Sequence, residues 1–483
     1  MENIGIYKKF NNIFIKHYYF IYFWLIILLI LLTFINIRLM PINQWDEARH
    51  GVNAYEMIRE NNYIANYYNG KLDYWNLKPP LSYYTIILGY KLFGFNELGL
   101  RFFSAISYIL TAIIISLFLK NKKDGSEKAS LLSLLFMSSL SYLFFLHAAR
   151  TGDADSIFLL FFTIGLISLI KTEDNERYLY ITGLMFSFMF LTKSFHSLFF
   201  IPVVFFYLLF TKGFIRIKWY RILLFLIISA IPILIWALFR YRFDGFEFFK
   251  LMFEYDLLNR SSNSIEGHNE IFIFYLLILL ASAPGLLIFL TLYIIKKFKL
   301  KEKVNYEIRA YLITFFIIFI MYTIAKSKLV WYIYPAFIPL VMISSIIYSK
   351  LDINNVFIKL KKFAFIITII EVVISLIYVS IICMHFDFIA LDKYNNAQSF
   401  IEKIEYKDID LYIEYDNQNT FRQDDLLKAE LYLNAFCHDG GYEEFVNDDN
   451  SYLIINKKLI SKIDISSYKI LFEDNDYCLI YNE

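Results

Sequence analysis

Cysteine is scarce in this sequence, with three residues, Cys383, Cys437 and Cys478, among 483. Three cysteines are too few for a disulfide framework or a zinc cluster, which excludes a fold held together by either. Cys437 and Cys478 could pair with each other or remain two unlinked thiols. The sequence also contains no internal repeat, serine/glycine linker or low-complexity tract. The organisation of the chain must therefore be read from its apolar segments.

Charged residues are missing from long stretches of the chain. Hydrophobic residues make up 58% of it, the mean hydropathy is +0.49, and 51 Phe accompany 39 Tyr, more than the core of a soluble protein of this size could hold. The apolar runs have roughly the length that an α-helix needs to cross a hydrocarbon layer of about 30 Å, and they lack the alternating polarity of barrel strands. The composition predicts a polytopic α-helical membrane protein.

Eleven apolar runs are predicted to span the membrane. They are residues 18–37, 98–119, 129–146, 156–170, 178–191, 197–210, 222–239, 271–295, 310–324, 333–348 and 363–383. The first run follows Lys8, Lys9 and Lys16, is longer than a signal-peptide core and lacks a small-residue cleavage site. We therefore expect an uncleaved membrane helix.

Lysine and arginine accumulate in alternate loops, which predicts a cytoplasmic N-terminus and an extracytoplasmic C-terminus in the cytoplasmic membrane. The extracytoplasmic face then receives the first loop (residues 41–97), a long polar loop (residues 240–270) and the segments HAARTGDAD, TKSFH and AKSKLVWY. Residues 390–483 hold 20 acidic and 9 basic residues, and short apolar runs separated by polar ones. This pattern predicts a small extracytoplasmic α/β domain after a membrane domain of residues 1–389.

Asp46 and Glu47 stand in the first loop, directly after the first span. A carboxylate beside lipid is costly unless it has a partner or a function. If a helix starts here, Asp46 and Arg49 share a face and could form an ion pair. The functional interpretation is that one carboxylate, with a pKa raised by partial burial, takes the proton of an attacking hydroxyl.

Several lysines fall on the same predicted face. Lys78 precedes two prolines, so its backbone is restricted at a rigid corner, and it is either an anchor at the membrane surface or an anion ligand. The same two interpretations apply to Lys193, which is followed by His196. Lys328, together with Lys326, breaks the positive-inside trend and favours a lipid phosphate, while the nearby Tyr332 also suits an aromatic belt.

The segment HAARTGDAD brings Arg150, Asp153 and Asp155 into a short turn between two spans. A turn between helices needs polar residues in any case, so these could be purely structural. As a second acidic site they could bind a divalent cation through oxygen ligands or orient a sugar hydroxyl. No other cofactor is indicated.

The motifs resemble those of the polytopic GT-C glycosyltransferases, specifically glycosyltransferase family 39 with the protein O-mannosyltransferases and lipid A aminoarabinose transferases. DEARHGVNAYEMIREN, NGKLDYWNLKPPLSYY and FGFNELGLR resemble the first loop of that group. AARTGDADSIFLLFF, FLTKSFHSL and KSKLVWYIYPAFIPL resemble its later motifs, in the same order, over roughly residues 40–340. His50 and Leu77 depart from the pattern, since many members have Tyr at the first position and the aminoarabinose transferases have a metal-binding carboxylate at the second.

The resemblance implies inverting transfer of a sugar from a polyprenyl-phosphate carrier to a hydroxyl of a lipid, glycan or protein. Membrane lipids are further expected partners, and nucleic acid is not. The roles implied for single residues are the following: Asp46 as catalytic base or acceptor-orienting acid beside Glu47; Arg49, Lys78 and Lys328 as ligands of the carrier phosphate; Asp155 as the second acidic site; and Tyr332 near the lipid phosphate.

Two other classes of protein share some of these features. A transporter or flippase of lipid-linked saccharides would need broken helices in paired halves and polar residues at mid-bilayer. The predicted spans carry almost no charge apart from Glu371, and the polar clusters lie at their ends. A non-catalytic assembly protein would need neither Asp46 nor a lipid-phosphate site.

Overall fold

The structure, a computed structural model, describes residues 16–121, 125–259, 270–300, 306–350, 355–384, 392–415, 422–460, 463–464 and 467–483. Lys8, Lys9 and the predicted boundary at residues 389–390 lie outside these residues. The membrane part contains helices α1 Tyr18–Phe34, α2 Asp46–Arg59, α3 Leu81–Phe93, α4 Glu97–Asn121, α5 Glu127–Ser139, α6 Ser141–Phe145, α7 Asp155–Lys171, α8 Tyr178–Lys193, α9 Phe200–Phe210, α10 Gly213–Arg216, α11 Trp219–Asp244, α12 Glu247–Leu251, α13 Phe274–Ser282, α14 Pro284–Leu300, α15 Tyr306–Ile324, α16 Tyr334–Lys350 and α17 Asn355–Met384.

These helices form a bundle around one large apolar core, to which α4, α5, α7 and α16 contribute fully buried side chains. Helix α11 instead exposes most of its apolar residues, among them Leu226, Leu234 and Leu238. Because such a surface is stable only in a hydrocarbon environment, it belongs in lipid. The predicted polytopic helical membrane fold is confirmed.

The described residues contain fewer helices of membrane-spanning length than the eleven spans that the sequence predicts. Within the described residues, five helical segments are long and apolar enough to cross a membrane, and a bent pair would make a sixth. One of the five, Tyr178–Phe210, contains a 3₁₀ turn at Ser194–Phe199. The chain reverses direction at this turn, as two hydrogen bonds show: Lys193, before the turn, contacts the start of α7, and Tyr207, after the turn, contacts the end of α7. The count of eleven spans stays a prediction.

The predicted span 271–295 is not one continuous helix. It divides into α13 and α14, which meet at 107° across Ala283 and Pro284. Proline has no backbone N–H and its ring clashes with the carbonyl one turn before it, so the helix breaks there.

Helices α3 and α4 form a tight hairpin that closes the first loop. A Cβ on Gly89 would lie 2.0 Å from the carbonyl oxygen of Gly99, and one on Gly99 would lie 2.5 Å from that of Gly94. The obstructing atoms belong to the backbone and cannot move aside. The two helices can approach this closely only because both positions lack a side chain.

The C-terminal part is a mixed α/β unit, as the sequence predicts. Two short antiparallel strands, β1 Tyr67–Tyr68 and β2 Lys71–Leu72, precede it in the first loop. The C-terminal unit itself contains α18 Asp392–Ile401, β3 Asp410–Glu414, α19 Gln423–Leu433, β4 Phe436–His438, α20 Gly441–Phe445, β5 Tyr452–Asn456, α21 Lys457–Ile460, β6 Lys469–Glu473 and β7 Tyr477–Tyr481. The five strands lie in the order β4-β3-β5-β7-β6, with β3 parallel to β4 and β5 and β7 antiparallel to β5 and β6. Cys437 and Cys478 are free thiols, so the second of the two alternatives holds.

The C-terminal α/β unit, which we call the sheet domain, packs on the first loop through α19. Leu426, Leu427 and Leu431 pack against Val52 and Tyr55 of α2 in a shared buried cluster. Lys428 forms a buried ion pair with Glu97 at the start of α4, and Gln398 of α18 is hydrogen-bonded to the backbone of Ile42. The first loop is thus held from both sides, by the bundle and by the sheet domain.

Candidate functional site

Glu47 anchors the start of α2 to the bundle. Its carboxylate accepts two hydrogen bonds from Arg101 of α4, at 2.6 and 3.0 Å, one from the Gly152 N–H at 2.8 Å and two from Asn43 at 2.7 and 2.8 Å. Arg101 is fully buried and also donates to three backbone carbonyl oxygens at residues 37–41. Both carboxylate oxygens of Glu47 already accept hydrogen bonds, which indicates that Glu47 positions the first loop.

Asp46, by contrast, leaves its carboxylate open. Its side chain is 39% exposed, and its Oδ2 lies 3.8 Å from Nδ1 of His147. The same His147 nitrogen lies 3.3 Å from Oδ1 of the buried Asp153. The His147 ring stacks on Trp331 with 3.5 Å between the ring centres. The sequence places these four residues up to 285 positions apart, and the fold brings them together.

Backbone conformation at this site is unusual at two of its positions. Trp45, which precedes Asp46, has φ 72°, and His147 has φ 56°. Side-chain-bearing residues adopt such angles only where the surroundings enforce them, and they cluster at functional sites. Asp46 and His147 are therefore presented from constrained turns.

The charges around Asp46 and Asp153 act in opposite directions. Partial burial disfavours the ionised form of Asp46, but His147, His50, Lys78 and Lys193 together hold the pKa of Asp46 below its ordinary value. The raised pKa that the sequence led us to expect for the catalytic carboxylate is therefore wrong for Asp46. Burial raises the pKa of Asp153 to about 7, and the negative charges of Glu47 and Asp46 add to the rise. Asp46 is thus an ionised carboxylate beside an acid, Asp153, that is about half protonated at neutral pH.

The group Asp46, His147 and Asp153 could also hold a metal ion. One ligand atom from each lies within 4.8 Å of the others, and two carboxylates with an imidazole suit Zn²⁺ or Mn²⁺. Asp153 Oδ1 is buried, and its contact with His147 is an ionic one without a hydrogen bond, so the oxygen can still accept a cation or a proton. The donor set fits a divalent ion without requiring one.

Lys78 and Lys193 line a second feature, a cavity of about 400 Å³ that we call the lysine pocket. Lys78 donates to Asp256 at 2.8 Å, and Lys193 donates to Asp155 at 2.6 Å. Phe195, Leu198, Phe199, Met321 and Ile324 supply apolar walls. Cationic groups beside an apolar groove match the phosphate and the hydrocarbon chain of a lipid phosphate.

Aromatic residues complete the lysine pocket. Tyr332 stands 5.9 Å from the Lys193 ammonium, measured to the ring centre, and 5.2 Å from the His196 ring. Tyr322 is hydrogen-bonded to the His196 ring at 2.9 Å. Lys328 lies beside the pocket, where its ammonium donates to the Ala325 carbonyl at 2.7 Å.

Four of the residues predicted to bind substrate or phosphate do not line the lysine pocket, namely Arg49, Arg150, Asp153 and Lys328. Arg49 binds Asp73 through two hydrogen bonds of 2.7 and 2.8 Å, so it does not form the ion pair with Asp46 that the sequence allowed. Arg150 is fully buried and donates to the carbonyl oxygens of Leu32 and Ile35, where it caps the end of α1.

The two positions that depart from the family pattern have distinct surroundings. His50 is buried, its Nδ1 contacts the Asp46 carbonyl oxygen at 2.6 Å, and its ring packs near Tyr83. Leu77 packs with Trp236, Phe248 and Met252 in an apolar cluster. This chain therefore offers no carboxylate at position 77.

Sequence reasoning missed four residues of the site. His147 lies within the motif that was singled out for its acids, yet its distance from Asp46 could not be foreseen. Arg101 lies in the predicted span beginning at Leu98, where a charge is itself a signal of function or pairing. Asp256 and Tyr322 carried no signal, because their partners are far away in sequence.

The bundle, the anchored first loop and the docked sheet domain together have the polytopic GT-C fold. Residues 77–236 match the family model described as dolichyl-phosphate-mannose-protein mannosyltransferase. In fold, the chain is similar to the crystal structure of ArnT from Cupriavidus metallidurans bound to undecaprenyl phosphate, with a TM-score of 0.73 and 12% identity over 95% of this chain and 97% of that one.

Relatives with similar sequences agree with this class. A protein of Aquifex aeolicus is 30% identical over 326 residues, covering 65% of this chain and 61% of that protein. An undecaprenyl phosphate-alpha-4-amino-4-deoxy-L-arabinose arabinosyl transferase of Proteus mirabilis is 28% identical over 331 residues, covering 65% and 58%. The match spans about three fifths of the length of these relatives. The predicted resemblance to family 39 glycosyltransferases of the aminoarabinose-transferase type is confirmed.

Proposed function

We propose that the protein transfers a sugar from a polyprenyl-phosphate carrier to an acceptor hydroxyl at the extracytoplasmic face of the cytoplasmic membrane, with inversion at the anomeric carbon. The observation that carries the proposal is the position of Asp46. It is an accessible carboxylate, and the positive charges of both lysines of the lysine pocket lower its pKa. A base and a phosphate site are thus within electrostatic reach of each other.

In this reaction the lysine pocket holds the carrier phosphate. Lys78 and Lys193 lie in its wall, and each ammonium has donors left beyond the one that its aspartate partner takes. As the bond between the anomeric carbon and the phosphate oxygen breaks, negative charge grows on that oxygen. Fixed cations stabilise such charge, and loss of one donor of this kind typically costs about 3 to 4 kcal/mol in barrier.

Asp46 takes the proton of the attacking hydroxyl on the opposite side of the sugar. An ionised carboxylate can accept this proton, and a positioned general base typically contributes about 10²- to 10⁴-fold in rate. His147 orients the carboxylate and links it to Asp153. Glu47 acts as a positioning residue through Arg101, and Arg150 holds the neighbouring turn against α1.

The relatives with curated names support this donor class. The Proteus mirabilis protein is named for an undecaprenyl-phosphate sugar donor, and the ArnT crystal structure contains undecaprenyl phosphate. Because Leu77 has no carboxylate, we do not extend the metal site of the aminoarabinose transferases to this chain. The domain division at residues 389–390 and the orientation of both termini are part of the same proposal.

Transport of a lipid-linked saccharide receives less support. It predicts broken helices in paired halves, whereas the described part of the bundle contains one bent pair, at Pro284.

The test compares envelope glycans and glycoproteins by mass spectrometry in cells with the gene, without it and with Asp46→Asn. We expect one sugar modification to disappear in both the deletion and the variant. Purified protein should retain undecaprenyl phosphate in native mass spectrometry, and Lys78→Ala should release it. An unchanged glycan profile in the deletion would overturn the proposal.

A further inference from the structure

The contact between the first loop and the sheet domain contains two facing acids that the mechanism above does not use. Glu56 of α2 and Glu430 of α19 are both buried, and their carboxyl groups lie close enough to share a hydrogen bond. An ionised carboxylate only accepts hydrogen bonds, so one of the two acids must hold a proton. Glu430 fits this role, since its Oε2 is buried and has no hydrogen-bond partner among the described residues.

One cation faces the two acids within the described part of the chain. Arg59 of α2 lies 3.2 Å from Glu56 and 3.6 Å from Glu430, and 3.8 Å from the exposed Glu60. With two buried acids and one arginine, the group carries excess negative charge unless one acid is protonated, and an unpaired buried charge is costly. Other titratable groups that face Glu430 are phenols and a thiol whose pKa burial raises, so they stay neutral: Tyr55 of α2, Tyr68 of β1, Tyr90 of α3 and Cys437 of β4.

The charge imbalance makes the contact sensitive to pH. Burial and the facing Glu56 raise the pKa of Glu430 well above its ordinary value. Burial also raises the pKa of Glu56, although the hydrogen bond with Glu430 and the charge of Arg59 oppose the rise. A group whose pKa is raised by docking favours the docked state in acid and loses that effect as pH rises through the raised value. The first loop and the sheet domain should therefore separate more readily in alkaline medium.

A second charged link across the same contact has no such imbalance. Lys428 of α19 pairs with Glu97 at the start of α4 and with Glu402 of the sheet domain. Burial opposes the ionisation of Glu97, but Lys428 holds the pKa of Glu97 below its ordinary value. Glu402 is 44% exposed, so water solvates its charge. This link stays ionised over the range in which Glu430 loses its proton.

The contact supports the segment that presents Asp46. Helix α2 has Asp46 at its start and Glu56 near its end. Glu56 also accepts hydrogen bonds from the backbone N–H groups of Asn69 and Gly70, at 2.7 and 3.0 Å, and so holds the turn between β1 and β2. Separation of the sheet domain would remove a support of α2, and small misplacements of a catalytic group are costly in rate.

We propose that Glu56 and Glu430 form a proton-dependent latch between the first loop and the sheet domain. The latch is closed while the pair holds a proton, and it opens when both acids are ionised. Because α2 carries Asp46, the closed latch supports sugar transfer, and the pH around the sheet domain regulates the rate. The inference rests on the proposed function and adds regulation to it.

The first measurement follows opening itself, by hydrogen–deuterium exchange of α19 in full-length protein at pH 5 and pH 8, corrected for the intrinsic pH dependence of amide exchange. Loss of one proton changes an opening equilibrium by at most about tenfold per pH unit. We expect the exchange of α19 in wild-type protein to rise by about tenfold or more between the two pH values. Glu430→Gln and Glu56→Gln keep the shape of the side chain, remove one charge, and should stay protected at pH 8.

Asp425→Asn is the matched control. Asp425 lies on the same helix and is buried, and burial together with Asp424 raises its pKa well above the ordinary value. Its charged neighbours, Asp424 and Arg422, belong to the sheet domain and not to the first loop. The variant should therefore keep the pH-dependent opening of α19.

The second measurement compares transfer at the same two pH values in a membrane assay with full-length protein, labelled polyprenyl-phosphate sugars extracted from wild-type cells, and acceptor membranes from cells lacking the gene. The rate at pH 8 relative to that at pH 5 should be lower in wild type than in Glu430→Gln by about threefold or more, as the closed fraction falls. Titration of Asp46 affects both proteins alike and cancels in this comparison.

Equal exchange of α19 in wild type and Glu430→Gln at pH 8 would overturn the latch, as would loss of the pH response in Asp425→Asn. Equal rate ratios in wild type and Glu430→Gln would overturn its control of transfer. If wild-type protein transfers no label at either pH, the proposed function itself fails, and the exchange of α19 still decides whether the contact opens.

Discussion

Asp46 and Glu47 are adjacent acids, but the Asp46 carboxylate is accessible, whereas Glu47 is buried in an ion pair with Arg101. This difference allows a direct test of the proposed mechanism. Asp46→Asn keeps the shape of the side chain and removes its negative charge. Because the Asp46 carboxylate is accessible and bonded to few partners, we expect wild-type stability and a transfer rate reduced by about 10²- to 10⁴-fold. Initial rates in the membrane assay measure this loss.

Glu47→Gln should show a different pattern. The change removes the negative charge that compensates the fully buried Arg101, and breaking such a pair typically costs about 3 to 5 kcal/mol. With an unfolding entropy of about 2.1 cal/mol/K per residue, a cooperative unfolding of the chain would lower the Tm by roughly 3 to 5 °C. Fluorescence-detected size-exclusion chromatography after heating measures the shift.

The double variant Glu47→Met with Arg101→Met provides the control. Replacing both partners of a buried pair by apolar groups is often neutral, so part of the lost stability should return. The reasoning is refuted if Glu47→Gln melts like wild type while losing transfer as fully as Asp46→Asn. Glu47 would then take part in the chemistry itself.

Three further predictions concern other parts of the molecule. His147→Ala should slow transfer by about tenfold or more at unchanged Tm, as measured in the same membrane assay, because Asp46 loses the group that orients it. Gly89→Ala should lower the Tm or the yield of folded protein in size-exclusion chromatography, because its Cβ would meet the Gly99 carbonyl. Burial and the neighbouring Glu56 raise the pKa of Glu430 well above its ordinary value, so its contribution to stability is present in acid and is lost as pH rises; the Tm should fall from pH 5 to pH 8.

Each of these has its own control. Wild-type activity in His147→Ala would remove His147 from the site. Gly70→Ala tests the same substitution in the first loop at a position with no atom within 4 Å of the added Cβ, although its φ of 71° carries its own strain. Glu430→Gln should flatten the dependence of Tm on pH, and an equally steep dependence in that variant would contradict the assignment to Glu430.

The membrane fold could be predicted from the sequence because apolar runs of spanning length have few alternatives. The helix that begins at Asp46 was also foreseeable. Breaks inside apolar runs were not, since Leu140 and Ala283 interrupt helices where hydropathy continues unchanged. A hydropathy pattern reports the environment of a segment and contains little information about its direction.

Candidate residues were predictable as types, while their partners were not. Asp46, Lys78, Asp155 and Lys193 stood out because they are charged residues on the predicted extracytoplasmic face. The sequence allowed Arg49 to pair with Asp46, three positions away, yet it binds Asp73. Local spacing favours the nearer partner, and only the hairpin between Tyr67 and Leu72 brings the loop round to place Asp73 beside Arg49.

The sequence by itself determined that this chain is a polytopic membrane protein, that its acids and lysines gather at one predicted face, and that a small α/β domain follows. These properties depend on composition and on short-range pattern, which hydrophobic burial and helix geometry translate directly into structure. The tertiary structure alone decided which acid is open and which is locked, that His147 joins Asp46 to Asp153, and that Glu56 of the first loop faces Glu430 of the sheet domain. Each of these depends on contacts between residues tens to hundreds of positions apart, which no local pattern specifies.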